Sequence, residues 1–150
     1  MDEATEFAAN QFALPVKNVL EGVRPQDFYV PGSLLKVVLD TDNPVAYGMP
    51  RETAVFFKQN AAFEVSGNAK PVGSYPLTNP LMSGWILGEE KLHGKTAIAD
   101  VPVGRGRVIL LSIRPQYRAQ ARGTYKLLFN SLYYGPATPT IYEGQSANNN

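Results

Sequence analysis

Two runs of apolar residues near the C-terminal end of the chain dominate its hydrophobic pattern. Residues 95–103 and 107–113 are rich in Val, Ile and Leu, and Gly104-Arg105-Gly106 separates them. Because glycine readily adopts a positive φ, this spacing predicts two strands joined by a tight hairpin turn. In the second run, both alternating sets of residues are mainly apolar. We therefore expect this strand to be central in its sheet and covered on both faces.

After the hairpin the pattern changes to apolar spacings of three and four residues, which are typical of a helix. The sequence predicts that this helix begins between Arg118 and Thr124, after Pro115 has ended the preceding strand. Gly135-Pro136 is a usual helix stop. We expect one apolar face, formed by Tyr125, Leu128, Phe129 and Leu132.

Shorter apolar runs upstream of the hairpin predict further strands, with turns rich in glycine and proline between them. A helix is predicted over residues 3–11 and a short helical turn over residues 16–20, whereas residues 83–87 fit a strand or one helical turn equally well. The expected strands are residues 33–39, 52–58, 61–65 and 70–75. Strands with a helix at each end predict an α/β or α+β fold with a mixed sheet.

Composition excludes several classes of protein. The chain has 150 residues, enough for one domain, and its net charge of +1 gives no electrostatic argument for binding nucleic acid or an anionic membrane. It has no cysteine, which excludes disulfides, thiolate metal sites and a cysteine nucleophile. No apolar run approaches about 18 residues, the length a membrane-spanning helix needs.

The sequence offers few groups for catalysis. His93 is the only histidine, in a polar connection, and we expect a surface position rather than a metal ligand. Ser83 and Ser112 lack any nucleophile motif, and the adjacent Glu89 and Glu90 side chains diverge on a strand or a helix. We therefore assign no catalytic and no metal-binding residue to this chain, since catalysis needs a nucleophile, a base and an orienting group together.

Three arginines form the one candidate binding site in the sequence. Arg114, Arg118 and Arg122 are spaced at i, i+4 and i+8 just after the predicted central strand. In open α/β sheets ligands bind at the carboxyl ends of strands, and guanidinium groups suit a carboxylate or a phosphate. The alternative is that these arginines pair with acidic residues of this domain or of a partner domain.

Four segments, in order, resemble the C-terminal region of bacterial zinc carboxypeptidase-like proteins of the M14 peptidase family. They are FALPVKNVL at residues 12–20, PGSLLKVVLDTDNPVAYGMP at 31–50, NPLMSGWILGEEKLHGKTAIADVPVGRGRV at 79–108 and PVGRGRVILLSIRPQYRAQARGTYKLLFNSL at 102–132. The resemblance covers residues 6–133, and none of the segments is a catalytic signature. In that family the metallopeptidase domain is followed by a domain similar to class I glutamine amidotransferases.

The resemblance implies a flavodoxin-like layered fold, of which this chain is the C-terminal part, with the first βα units lying before Glu3. Class I amidotransferases use a Cys-His-Glu triad and the peptidases a HxxE motif with a second histidine, and this chain has neither. The implied function is a non-catalytic accessory domain, residues 1–135, that packs against the N-terminal peptidase domain or positions its substrate. Zinc is implied for the parent protein alone, and the family suggests a bacterial periplasmic or secreted location.

Two alternatives stay open at this stage. The chain is a stand-alone module that binds a small carboxylate or another anion, or it associates with itself to cover an exposed sheet edge. Residues 136–150, which are polar and lack any period, are expected to form a disordered tail.

Overall fold

The computed structural model describes residues 2–137, which contain two helices and eight strands. The expected disordered tail lies outside the described residues from position 138 onward. The helices are α1 (Asp2–Gln11) and α2 (Tyr125–Tyr134). The strands are β1 (Val16–Asn18), β2 (Ser33–Leu39), β3 (Glu52–Phe57), β4 (Phe63–Val65), β5 (Lys70–Ser74), β6 (Leu81–Ser83), β7 (Thr96–Val103) and β8 (Gly106–Leu111).

All eight strands belong to one sheet, in the order β1-β4-β7-β5-β2-β3, with β6 paired to β2 and β8 paired to β7. Every described strand pair is antiparallel, so the α+β alternative is confirmed and the expected mixed sheet is not what the chain forms. Parallel neighbours need a crossover of a dozen or more residues, usually a helix. Here both helices lie at the ends of the strand region, and turns and loops join the strands.

The hairpin prediction is confirmed, but the prediction of a central second strand is wrong. Val103 pairs with Gly106 across a two-residue turn in which Gly104 has a φ of 56°. Within the described residues β8 pairs only with β7, so β8 is an edge strand and β7 is the buried central one. β8 is apolar on both faces because each face covers a different core cluster.

The larger core cluster receives Ile109 and Leu111 from one face of β8, together with Leu127 of α2. Its fully buried members also include large side chains of β2, β3 and the segments next to them, such as Leu35, Val37, Phe57 and Tyr75. The smaller cluster receives Leu110 and Val108 from the other face of β8 and contains Leu14, Ala61, Phe63, Ala69, Ala99 and Val101. The sheet therefore has apolar packing on both sides near β8.

The short helical turn expected at residues 16–20 is also wrong, because these residues begin with β1. Val16 pairs with Val65 and Asn18 pairs with Phe63. The Asn18 side-chain oxygen then accepts hydrogen bonds from the backbone N–H groups of Leu20 and Ala62. Those bonds close a turn directly after β1, which gives the backbone of this segment partners that a helical turn would otherwise supply.

Helix α2 ends before Gly135-Pro136 as predicted, and Leu128 of the expected apolar face packs against the larger cluster, but the most buried residue of the helix, Leu127, lies outside that face. Leu127 is 0% exposed, whereas Phe129 and Leu132 are 53% and 62% exposed. The side-chain amide of Asn130 donates to the carbonyl oxygens of Val45 and Tyr47, which fixes the helix against the loop after β2. The apolar stripe read from the sequence therefore lies largely on the surface.

A buried ion pair connects β7, β8 and α2. Asp100 is 2% exposed, and both of its carboxylate oxygens accept hydrogen bonds from Nη1 of Arg107, at 3.1 and 2.9 Å. The Asn43 amide donates to the same carboxylate, and the Arg107 guanidinium lies 3.9 Å from the centre of the Tyr134 ring.

Among the described residues, no helix is long and apolar enough to cross a membrane.

Candidate functional site

The structure brings two of the three predicted arginines together around one aromatic ring. Arg114 and Arg118 place their guanidinium carbons 5.7 and 5.3 Å from the centre of the Tyr117 ring. That ring stacks on Phe56 of β3, with centroids 4.3 Å apart and an interplanar angle of 4°. Cations near an aromatic face are attracted by its quadrupole, so Tyr117 accounts for part of the position of both arginines.

Arg122 lies apart from this cluster, in a surface groove. The i, i+4, i+8 spacing requires a continuous helix, but Arg118 and Ala119 have φ values of 47° and 55°, in the left-handed region. Two separate 3-10 turns precede α2, and the second contains Arg122. The carboxyl-end crevice of a parallel sheet is not formed either, since β8 is antiparallel to β7.

The groove that contains Arg122 is named here the basic groove. It has a volume of about 510 Å³ and runs between the loop before β3 and the first turns of α2. Lys126 contributes a second cation, and none of the described residues that line the groove is acidic. Its lining residues are Gly48, Met49, Pro50, Thr53, Arg122, Gly123, Tyr125, Lys126 and Phe129.

A second feature is the open edge of β8, defined by the backbone groups of Arg107, Ile109 and Leu111. A hairpin with a two-residue turn begins with a hydrogen-bonded pair, here Val103 with Gly106, and such pairs then alternate along the ladder. The bond from Ser112 N to Ala97 O agrees with this alternation. The N–H and C=O groups of the three odd-numbered residues therefore point away from β7, and none has a backbone partner on that side within residues 2–137.

The open edge lies in an apolar groove between the two helices, named here the edge groove. Its volume is about 320 Å³. Thr5 and Ala8 of α1 form one wall, and Leu128, Ser131 and Leu132 of α2 form the other. An unpaired strand edge in an apolar groove offers both hydrogen bonds and side-chain contacts to another extended segment.

Two of the groups considered for catalysis, Ser112 and His93, have contacts that the structure describes. Ser112 is 1% exposed, and its hydroxyl donates to the carbonyl oxygen of Ala97 at 2.8 Å. Nε2 of His93 lies 3.8 Å from the nearest carboxylate oxygen of Glu89, too far for a hydrogen bond. Residues 2–137 contain no group of three His, Cys, Asp or Glu side chains that would hold a metal ion.

The chain matches no model of a known protein family, and it has no match among curated proteins. The two grooves and the open edge of β8 therefore carry the functional argument, together with the resemblance in the sequence.

Sequence reasoning missed both grooves. The i, i+4 spacing of Arg122 and Lys126 was an available signal for the basic groove. No local signal existed for the open edge, because the same apolar pattern is typical of a central strand.

Proposed function

We propose that this chain is a non-catalytic accessory domain of an M14-type zinc carboxypeptidase-like protein. In this proposal, the open edge of β8 pairs with an extended segment from the preceding part of the same protein. The single observation that carries the proposal is the edge of an apolar strand at the floor of the edge groove, which has no strand partner among the described residues.

Exposed strand edges are usually protected by charges, prolines, bulges or covering elements, because an unprotected edge pairs with other chains. Three residues of β8 have backbone groups that point away from β7. Two of them, Ile109 and Leu111, have apolar side chains, and the charge of the third, Arg107, is used in the pair with Asp100. Nothing in the described part of β8 therefore opposes the addition of another strand.

The resemblance supplies the occupant of the groove. A flavodoxin-like layered domain begins with βα units, which in this proposal precede Met1 in the parent protein. The antiparallel sheet described above then forms the C-terminal continuation of that domain, and the combined sheet is mixed. Sheets that combine parallel strands with an antiparallel edge are common in large layered folds.

The chemistry of the chain agrees with an accessory role. A zinc peptidase of this kind needs two histidines and a glutamate as ligands and a glutamate as general base. This chain has one histidine and no cysteine, so zinc and peptide hydrolysis belong, in this proposal, to the preceding domain. The accessory domain packs against that domain or positions its substrate.

The first test is to read the coding DNA upstream of Met1. We expect an open frame that encodes βα units and, before them, an HxxE motif with a distant histidine. A stop codon and a ribosome-binding site directly before Met1 would contradict the proposal.

The second test uses the upstream part expressed separately and mixed with the 150-residue chain. Ile109→Pro removes an outward N–H without removing a bond to β7, because proline is tolerated where the strand N–H faces away from the ladder. Ile109→Ala loses similar packing but keeps the N–H, which makes it the matched control. We expect the proline variant to abolish co-elution and the alanine variant to retain it. Equal binding by both variants, or a homodimer of this chain that excludes the upstream part, would refute docking at this edge.

The stand-alone alternative keeps Arg114 and Arg118 as its candidate residues. Arg114→Ala is expected to weaken binding of a small carboxylate if that alternative holds. Titration calorimetry of the unmutated chain with acetate tests it, and an absence of measurable heat would exclude this site.

A further inference from the structure

We propose that the basic groove binds a carboxylate that carries a neighbouring apolar group, such as the C-terminal residue of a peptide or a small N-blocked amino acid. This inference does not depend on the accessory role, since it uses only residues of the 150-residue chain. It also differs from the site predicted from the sequence, because it separates Arg122 from Arg114 and Arg118.

The cationic half of the groove has donors that the described part of the chain does not use. Arg122 is exposed, and none of the hydrogen bonds or ion pairs in residues 2–137 involves its side chain. Nζ of Lys126 donates one hydrogen bond, to the carbonyl oxygen of Gly48 at 3.1 Å. An ammonium group has three donors and a guanidinium has five, so both side chains retain donors for a carboxylate.

Among residues 2–137, no nearby acid competes for these cations. The acidic residue next to the groove in sequence, Glu52, alternates with Thr53 along β3 and so points to the opposite face of the sheet. Its carboxylate lies 3.1 Å from Nζ of Lys36 on the neighbouring strand. A ligand carboxylate in the groove would therefore displace no ion pair that Arg122 or Lys126 forms within the described part of the chain.

The other half of the groove is apolar and is held in place. Met49, Pro50 and the exposed ring of Phe129 form this half. The loop that carries Met49 is fixed to α2 by the Lys126 bond and by the two bonds from Asn130. A wall fixed in this way reduces the ordering cost of binding, which favours even a small ligand.

The geometry therefore suits a ligand with two parts. Its carboxylate would lie between Arg122 and Lys126, and its apolar group would lie against Phe129 and the neighbouring wall. An anion without an apolar group would make only the first contact, and a neutral apolar compound would make only the second.

The test measures shifts of the backbone amide resonances of Gly123 and Lys126 while the ¹⁵N-labelled chain is titrated with N-acetyl-L-phenylalanine. At a ligand efficiency usual for small molecules, we expect a saturable shift with a dissociation constant of roughly 1 mM. The carboxamide analogue and inorganic phosphate are expected to bind about tenfold more weakly or not at all. A short peptide that ends in phenylalanine, compared with the N-acetyl compound, distinguishes a peptide C-terminus from a free small acid as the better source.

Three variants locate the site. Arg122→Ala is expected to raise the dissociation constant about tenfold. Arg105→Ala, at the exposed tip of the β7–β8 hairpin, is the matched control and should leave binding unchanged. Phe129→Ser should weaken binding of the N-acetyl compound but leave the weaker binding of acetate unaffected.

Some results would overturn the proposal. They are no saturable shift at about ten times the expected dissociation constant, equal binding of acid and carboxamide, equal effects of the two arginine variants, or phosphate binding as tight as that of the acid. If Arg122→Ala failed to fold, Arg122→Gln, which keeps a polar side chain without the charge, would give the same comparison.

Discussion

Loss of one partner of the buried pair of Asp100 and Arg107 should remove a large part of the free energy of unfolding. Replacing Arg107 with methionine keeps an unbranched side chain of similar length but removes the guanidinium. The Asp100 carboxylate, which is 2% exposed, would then keep only the Asn43 amide, at 3.3 Å, among its described side-chain partners.

The expected magnitude follows from these contacts. Removing one partner of a buried ion pair leaves an uncompensated charge, which costs about 3–5 kcal/mol. The contact between the guanidinium and the Tyr134 ring is lost as well, at roughly 1 kcal/mol. Since domains of this size unfold with about 5–15 kcal/mol, Arg107→Met should remove a large fraction of the stability.

Urea unfolding followed by circular dichroism measures this loss, and thermal unfolding should show a fall in Tm of roughly 8–24 °C. The double variant Asp100→Asn with Arg107→Met is the informative control. An amide buried at position 100 carries no charge, so the double variant should be more stable than Arg107→Met alone.

Two results would refute this account of the pair. One is a loss below about 1 kcal/mol for Arg107→Met, which would mean that the carboxylate finds water or another partner. The other is a double variant as unstable as the single one, which would mean that the cost lies in packing and not in the buried charge.

Three further predictions use matched positions. Gly88→Ala should cost more than about 3 kcal/mol in unfolding free energy, because the φ of Gly88 is +74° and a Cβ there would overlap a backbone carbonyl oxygen. Gly22 has a similar φ of +71° but open space around it, so Gly22→Ala should cost about 1 kcal/mol. Leu127→Ala should cost about 2–5 kcal/mol and Leu132→Ala less than about 0.5 kcal/mol, and equal losses in urea unfolding would refute the orientation of α2. Burial raises the pKa of Tyr75 above its usual value of 10.0, so the folded state retains a proton that the unfolded state loses, and stability should fall as pH rises above about 10. Tyr75→Phe should remove that component of the fall and cost little at neutral pH, since the buried hydroxyl makes no hydrogen bond of normal geometry to the described residues. An unchanged pH profile would contradict this.

The local pattern of the sequence was a good guide to where the elements lie. The predicted strand over residues 33–39 has the bounds of β2, and the predicted first helix differs from α1 by one residue. These segments contain strong local signals, namely a nearly unbroken apolar run in the strand and good helix formers in the helix.

The position of each element in the sheet was not predictable in the same way. β8 was expected to be central because both of its faces are apolar. The structure shows a strand whose faces cover two clusters, Ile109 on one side and Leu110 on the other, while its backbone edge is unpaired within residues 2–137. Side-chain pattern reports burial of the faces of a strand and carries no information about its edges.

The candidate site shows a similar limit. The regular spacing of Arg114, Arg118 and Arg122 places them on one face only if the backbone stays helical. Left-handed φ values at Arg118 and Ala119 break that condition, and nothing in the local sequence, which lacks glycine and asparagine at both positions, indicates them. Arg122 thus joins Lys126 in the basic groove, at a distance of four residues that the sequence did display.

Amide hydrogen exchange at Ile109 tests the central claim most directly. In the 150-residue chain, the outward N–H of Ile109 should exchange much faster than the N–H groups of Val108 and Leu110, which bond to β7. In the proposed longer protein, in which βα units precede Met1, the same N–H should become protected to the level of its two neighbours. Fast exchange at Ile109 in both proteins, or strong protection already in the 150-residue chain, would contradict docking of the upstream part at the open edge of β8.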